Sequence, residues 1–157
     1  MKIKVLSIGK TEEKYLKEGI ELYCKKIIHY FPFDYEELPA VKQTKNGTIN
    51  EQKKREGDMI LKRLNPSDVV VLLDETGTHY SSVRFSEFLQ HKMMQVNKQL
   101  VFIVGGAYGF SQELYARKDD LISLSLMTFS HQMVRLIFLE QLYRAASILK
   151  NEPYHHF

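Results

Sequence analysis

Apolar and polar positions fall into blocks whose period switches repeatedly between two and three to four residues. Residues 3–8 form a first strand, closed by Gly9. Residues 12–30 carry a helical stripe of Leu16, Ile20, Tyr23 and Ile27, with Thr11 as cap and Pro32 beyond the end. A second strand covers 33–38. A polar loop at 41–48 precedes a charged helix over 50–64, whose late apolar positions are Met59, Ile60 and Leu64. Asn65-Pro66-Ser67 breaks that helix. Residues 68–74 hold the run Val-Val-Val-Leu-Leu, which suits a strand covered on both faces. Thr76-Gly77 reads as a turn, and 81–94 as a helix with Phe85, Phe88 and Leu89 inward. A further buried strand, 99–104, ends in Gly105-Gly106, and Ser111 caps a short helix to Arg117.

The stretch 121–138 organises the rest. Residues 121–126 alternate Leu or Ile with Ser, as a strand does, and 127–130 break the alternation. Ser130 then caps a helix to Leu149. From Phe138 onward one face carries Phe138, Leu139, Leu142, Ala145, Ala146 and Leu149, with Glu140, Gln141, Arg144 and Ser147 opposite. Before Phe138 the faces invert, with Met133, Val134, Leu136 and Ile137 on the other side. A helix with one core keeps one stripe. This one has two apolar faces, and a second subunit is the natural cover for one of them. His131 and Arg135 then point into a wet site between packed surfaces; the plainer alternative is a wholly buried helix with both side chains satisfied.

Alternating strands and helices give an α/β class, a mostly parallel sheet of five to six strands with helices on both faces. At 157 residues, 44% hydrophobic and 26% charged, the chain fits one domain, 1–157. The net charge of +3 permits an RNA or phosphate partner without demanding one. The single cysteine, Cys24, excludes an internal disulfide and falls among core positions. No targeting segment or membrane span is visible, so the expectation is a cytoplasmic protein.

Three strand ends carry loops with chemistry: Leu73 to Gly77, Gly105 to Gly109, and Leu124 to Phe129. In open parallel sheets ligands bind at the carboxyl ends of strands. The glycine loop is neither Gly-x-Gly-x-x-Gly nor a Walker loop, and on its own suits a turn as well as a binding loop. Asp74 and Glu75 are adjacent and suit turn capping better than paired acid–base work. His29, His79 and His91 are scattered, without ligand spacing, so no metal is expected. No Gly-x-Ser-x-Gly elbow supports a hydrolase. The tail, Pro153-Tyr154-His155-His156-Phe157, is either an unanchored terminus or an aromatic, ionisable group set over a pocket, its own or a neighbour's.

Several runs together resemble the RlmH family of SPOUT-class RNA methyltransferases. They are Met1 to Val5 with Gly9-Lys10, Lys54 to Gly57, Val104-Gly105-Gly106 with Gly109, Ser125 to Arg135, Glu140 to Ala145, and Pro153-Tyr154-His155. The resemblance covers essentially the whole chain; Ser130 before His131 departs from the Pro-His usual in relatives. It implies a trefoil knot near the C-terminus, a homodimer, and use of S-adenosyl-L-methionine to methylate N3 of a pseudouridine in large-subunit ribosomal RNA on the assembled ribosome. It also implies cofactor contacts by Leu73, Gly105, Leu124, Ser125, Leu126, Met127, Thr128 and Phe129. His155 with Tyr154 is the first candidate for handling the N3 proton, reaching in from the partner chain, and His131 the second. Arg135 and Arg144 are candidates for phosphate or uracil-oxygen contact, Arg135 as part of the catalytic group; an i,i+4 pair with Glu140 is the alternative for Arg144. A non-catalytic nucleotide- or RNA-binding module is the alternative function; it would not need the Tyr-His tail.

Overall fold

The computed structural model describes residues 1–42, 44–95 and 98–157. Five strands, β1 (Lys2–Ile8), β2 (Phe33–Leu38), β3 (Val69–His79), β4 (Gln99–Val104) and β5 (Asp120–Ser123), form one parallel sheet in the order β2-β1-β4-β3-β5. The helices are α1 (Lys14–Ile27), α2 (Ile49–Leu61), α3 (Ser82–Gln95), α4 (Gln112–Arg117) and α5 (Met133–Leu149).

The continuous apolar runs are explained by a sheet buried on both sides. Successive side chains alternate faces. Ile3, Val5, Val71, Leu100 and Phe102 point to one layer and pack with Ile20 and Ile27 of α1, Phe85 and Leu89 of α3, and Phe138, Leu139 and Leu142 of α5. Leu6, Ile8, Val70, Leu72, Val101 and Ile103 point the other way, onto Ile60 of α2 and Leu114 of α4. Phe102 and Phe138 meet at 4.9 Å between ring centroids, at the centre of the first layer.

Several boundaries differ from the sequence pattern, each for a local reason. The predicted strand 121–126 stops at Ser123. The Ser125 hydroxyl accepts from the Met127 amide (2.9 Å), and the Ser123 hydroxyl donates to the Ser125 carbonyl (3.0 Å). Serine hydroxyls here satisfy the backbone locally and so compete with a strand ladder. Thr76-Gly77 does not end its strand: β3 continues to His79 through a register jump in which Leu73 and Thr78 both face Ile122. Thr11 does not cap α1; its hydroxyl and amide both bond Glu37. Ser130 acts as predicted on the Met133 amide (3.0 Å), but one turn precedes the helix proper. Within the predicted loop 41–48, Gln43 lies outside the described residues.

The second apolar face of α5 is partly covered by the chain itself. A Cβ on Gly19 would stand 2.9 Å from Leu136 Cδ1, so α1 and α5 meet closely there. Met133 and Ile137 stay partly exposed. Ser147, assigned to the polar side, is fully buried and donates to the Arg144 carbonyl (2.7 Å).

Arg135 is the largest correction. It has no exposed surface. Nη2 donates to the Ile8 carbonyl (2.6 Å), and Nη1 to the Gly9 carbonyl (2.8 Å), Thr11 Oγ1 (3.1 Å) and Glu37 Oε2 (3.1 Å). Nε donates to the His131 carbonyl (3.2 Å). Every donor group is engaged within the chain, so Arg135 is a structural clamp and not a contact for phosphate or base. Burial alone would raise the Glu37 carboxyl, but hydrogen bonds from Thr11 and Tyr35 and the Arg135 charge hold it below the usual value.

Arg135→Met should therefore destabilise the fold by about 3–5 kcal/mol in urea unfolding, because it removes the donors to a half-buried carboxylate and three carbonyls. Adding Glu37→Gln should recover part of that loss. A carboxyl whose pKa falls on folding stabilises at neutral pH and loses that contribution as pH drops through its folded value. The wild type should accordingly lose stability more steeply than Glu37→Gln as pH falls below about 4.

Candidate active site

The three strand ends converge. Leu73 at the bulge of β3, Val104 and Gly105 at the end of β4, and Ser123 to Leu124 at the end of β5 line a cleft of about 580 Å3. That volume lies in the range of small-molecule sites. Its far wall is the 124–132 connection and the first turn of α5, including Met127, Thr128, Phe129, His131 and Val134.

Of the residues assigned to a cofactor, Leu73, Gly105, Leu124, Ser125, Met127, Thr128 and Phe129 line this cleft. Leu126 does not cover it: its side chain is 90% exposed. His131 lines the cleft and is exposed. The walls combine apolar Leu73, Val104, Leu124 and Phe129 with the glycine loop 105–109.

The glycine loop is a cleft wall with defined geometry. Gly109 has φ +84°, a left-handed conformation that favours glycine, and its amide returns to the Gly106 carbonyl. Gly106 lies against Glu56 of α2: a Cβ there would meet the carboxylate at 3.0 Å. Glu56 is itself buried, and that burial raises its pKa despite a hydrogen bond from Gln52 (3.3 Å). Glu56 falls within the Lys54 to Gly57 run, but nothing in a charged helix pattern marks one acid as buried.

Asp74 presents a fixed anion to the same cleft. Oδ1 accepts from the Thr76 amide (2.9 Å) and hydroxyl (2.6 Å), and Oδ2 accepts from the Tyr115 hydroxyl. Burial alone would raise its pKa, but these bonds and the nearby Lys53 charge lower it. Tyr115 is pushed up to about 12 by burial and by Asp74. The expected turn role of Asp74 is thus present, and it also holds a carboxylate ionised at the cleft wall; Tyr115 was missed, since its partner is far away in sequence.

Arg144, Tyr154 and His155 form a second cluster, apart from the cleft. Arg144 lies ten residues beyond Val134 on α5, about 15 Å along the axis. The tail is anchored. Asn151 (φ 56°) turns the chain out of the helix, and the Tyr30 hydroxyl donates to Glu152. The Tyr154 hydroxyl donates to Glu140 Oε1 (2.9 Å), and its ring packs edge-on against Tyr143 at 4.7 Å. Burial, then Tyr23 and Glu140, raise the Tyr154 pKa. Arg144 makes the i,i+4 pair with Glu140 (2.6 Å) and also reaches His155 Nδ1 (3.2 Å). Within one chain, then, the cleft holds His131 and the tail holds His155.

Among the described residues no group of three or more His, Cys, Asp or Glu side chains is placed to hold a metal ion. Among them, too, no helix is long and apolar enough to cross a membrane. Gly109→Ala should cost about 1–2 kcal/mol in urea unfolding, the penalty of a side chain in a left-handed conformation. A smaller cost would mean the loop relaxes out of that conformation.

Comparison with known proteins agrees with this geometry. A family model described as "Predicted SPOUT methyltransferase" matches residues 1–155. The chain is 55% identical over 156 residues to a protein of Christiangramia forsetii named "Ribosomal RNA large subunit methyltransferase H", covering 99% of each chain. Proteins of the same name from Parabacteroides distasonis and Flavobacterium johnsoniae are each 53% identical over 156 residues, with the same coverage.

Proposed function

The chain belongs to the SPOUT methyltransferase family, and from that premise we propose that it methylates N3 of a pseudouridine in large-subunit ribosomal RNA, with S-adenosyl-L-methionine as donor, on the assembled ribosome in the cytoplasm. The observation that carries the reading is the cleft at three strand ends, lined by all but one of the residues assigned to the donor. The names of its relatives support the RNA target.

Bound in the cleft, S-adenosyl-L-methionine supplies a methyl group already activated on a sulfonium sulfur. The chain's own work is to position and to handle a proton. Leu73, Leu124 and Phe129 offer apolar cover for the adenine, and the backbone from Gly105 and from 125–128 offers edges for its nitrogens. Asp74 offers an ionised acceptor for ribose hydroxyls. The imide N3 loses a proton when the N–C bond forms, so an imidazole near the reacting atoms is useful. Two are at hand: His131 at the cleft, and His155 on the tail.

A homodimer brings them together. The tail lies about 15 Å along α5 from the cleft of its own chain, so the reading places Tyr154-His155 over the partner's cleft. The partly exposed Met133 and Ile137 supply apolar surface for pairing. The family's trefoil knot goes with this reading; the crossing of the chain from β4, past β3, to an outer β5 is compatible with it. With a net charge of only +3, ribosome shape rather than charge carries recognition of the RNA, and Arg144 contributes beside the tail.

Mixed dimers test the shared site. Thr128→Trp fills the cleft at an exposed position, and His155→Ala removes the imidazole from the tail. Each variant alone should be inactive on ribosomes. An equal mixture, re-equilibrated, should recover about a quarter of wild-type methyl transfer, since half the dimers then hold one intact site. No recovery would place cleft and tail of one chain in the same site.

A further inference from the structure

The tail carries a device that fixes where the proton of His155 sits. Nη1 of Arg144 is 3.2 Å from Nδ1 of His155. A guanidinium has donors only, so Nδ1 is the acceptor and its lone pair is occupied. In a neutral imidazole the proton then sits on Nε2. The guanidinium is not free to turn away. Its Nε (3.1 Å) and Nη2 (2.6 Å) both donate to Oε1 of Glu140, and its plane lies 4.7 Å over the Tyr154 ring. The hydrogen bonds that Arg144 donates to Glu140 raise its pKa, so the donor is permanent. On its other side the His155 ring meets Phe157 edge-on, at 5.0 Å between centroids.

We propose that the Glu140–Arg144 pair is a positioning device that holds His155 as its Nε2–H tautomer, so that His155 serves methyl transfer as a hydrogen-bond donor from Nε2 and not as the base. The proposal rests on the reading that the tail belongs to the reaction site. A base acting through Nε2 needs that nitrogen bare, and the neutral tautomer with a bare Nε2 carries a proton on Nδ1. That proton would point at an Arg144 N–H. Taking up a proton at Nδ1 of the present tautomer would instead displace the Arg144 donor and create a cation 3.2 Å from a guanidinium. A fixed Nε2–H is well suited to a carbonyl oxygen flanking the reacting imide nitrogen, where negative charge grows as the N3 proton leaves. The role of proton acceptor then passes to another group, and His131, exposed at the cleft, is the imidazole available for it. Arg144 in this account acts on the chemical step through His155.

Long-range 1H–15N correlation spectra of the intact, histidine-labelled protein read the tautomer directly, with His155→Gln assigning the resonances among the six histidines. The wild type should show His155 with Nε2 protonated and Nδ1 bare, and Arg144→Met should collapse this to a tautomer mixture. Protonated Nδ1 in the wild type, or an unchanged pattern in Arg144→Met, would overturn the proposal. Turnover on ribosomes gives the second arm. His155→Gln, which keeps an N–H donor on the side chain, should retain activity within about 10-fold of wild type, while His155→Ala loses about 100-fold or more. Equal loss in both variants would point to a base and contradict the donor role. Were the wild type inactive on ribosomes, the functional reading would fail by itself, and the spectra would still decide the tautomer.

Discussion

A single buried cation holds the site end of this fold together. Arg135 joins the Ile8 and Gly9 carbonyls at the end of β1, Thr11 before α1, Glu37 in β2, and the His131 carbonyl ahead of α5. A guanidinium with no exposed surface is tolerated only when its donors and charge are matched. That requirement fixes the entry of α5 against the carboxyl ends of β1 and β2. The connection 124–132 is consequently pinned at both ends, by β5 on one side and by the clamp on the other. It forms the wall of the cleft because it cannot fall back onto the sheet.

The second constraint is distance. A helix is a rigid rod with a fixed rise per residue, and α5 carries the cleft wall at its start and the tail beyond its end. The tail is tied to its own helices through Tyr23, Tyr30, Tyr143 and Glu140, so it has no slack with which to fold back. Chemistry that needs both ends of α5 at one place needs two copies of the helix. In the proposed reading a dimer supplies the second copy, with the partly exposed face of α5 as surface for pairing, and it divides labour between a cleft for the donor and a tail for the RNA base.

How much could be read from the chain depended on the range of the interaction involved. The parallel sheet was legible because runs such as Val69 to Leu73 and Gln99 to Val104 leave no polar face. The cleft was legible because strand order and loop chemistry together mark the carboxyl ends. Strand ends at Ser123 and Ser125 were not, since alternation looks the same whether a hydroxyl bonds the ladder's neighbour or its own backbone. The place of Arg135 was hidden for a related reason. Its periodicity put it beside His131, but only the tertiary fold brings Gly9 and Glu37 to it. Glu56 and Tyr115 had no local signal, since burial of one acid in a charged helix and a hydroxyl paired across 41 positions are both products of the assembled layers.

The central claim is that the cleft at the ends of β3, β4 and β5 is the methyl-donor site. Calorimetric titration of the purified protein with S-adenosyl-L-methionine, beside ATP and NAD as controls and with ribosomes both absent and present, addresses it most directly. The account predicts saturable binding of S-adenosyl-L-methionine alone among the three, abolished when Thr128 is replaced by Trp. Equal binding of all three ligands, or no binding of S-adenosyl-L-methionine even with ribosomes present, would contradict it.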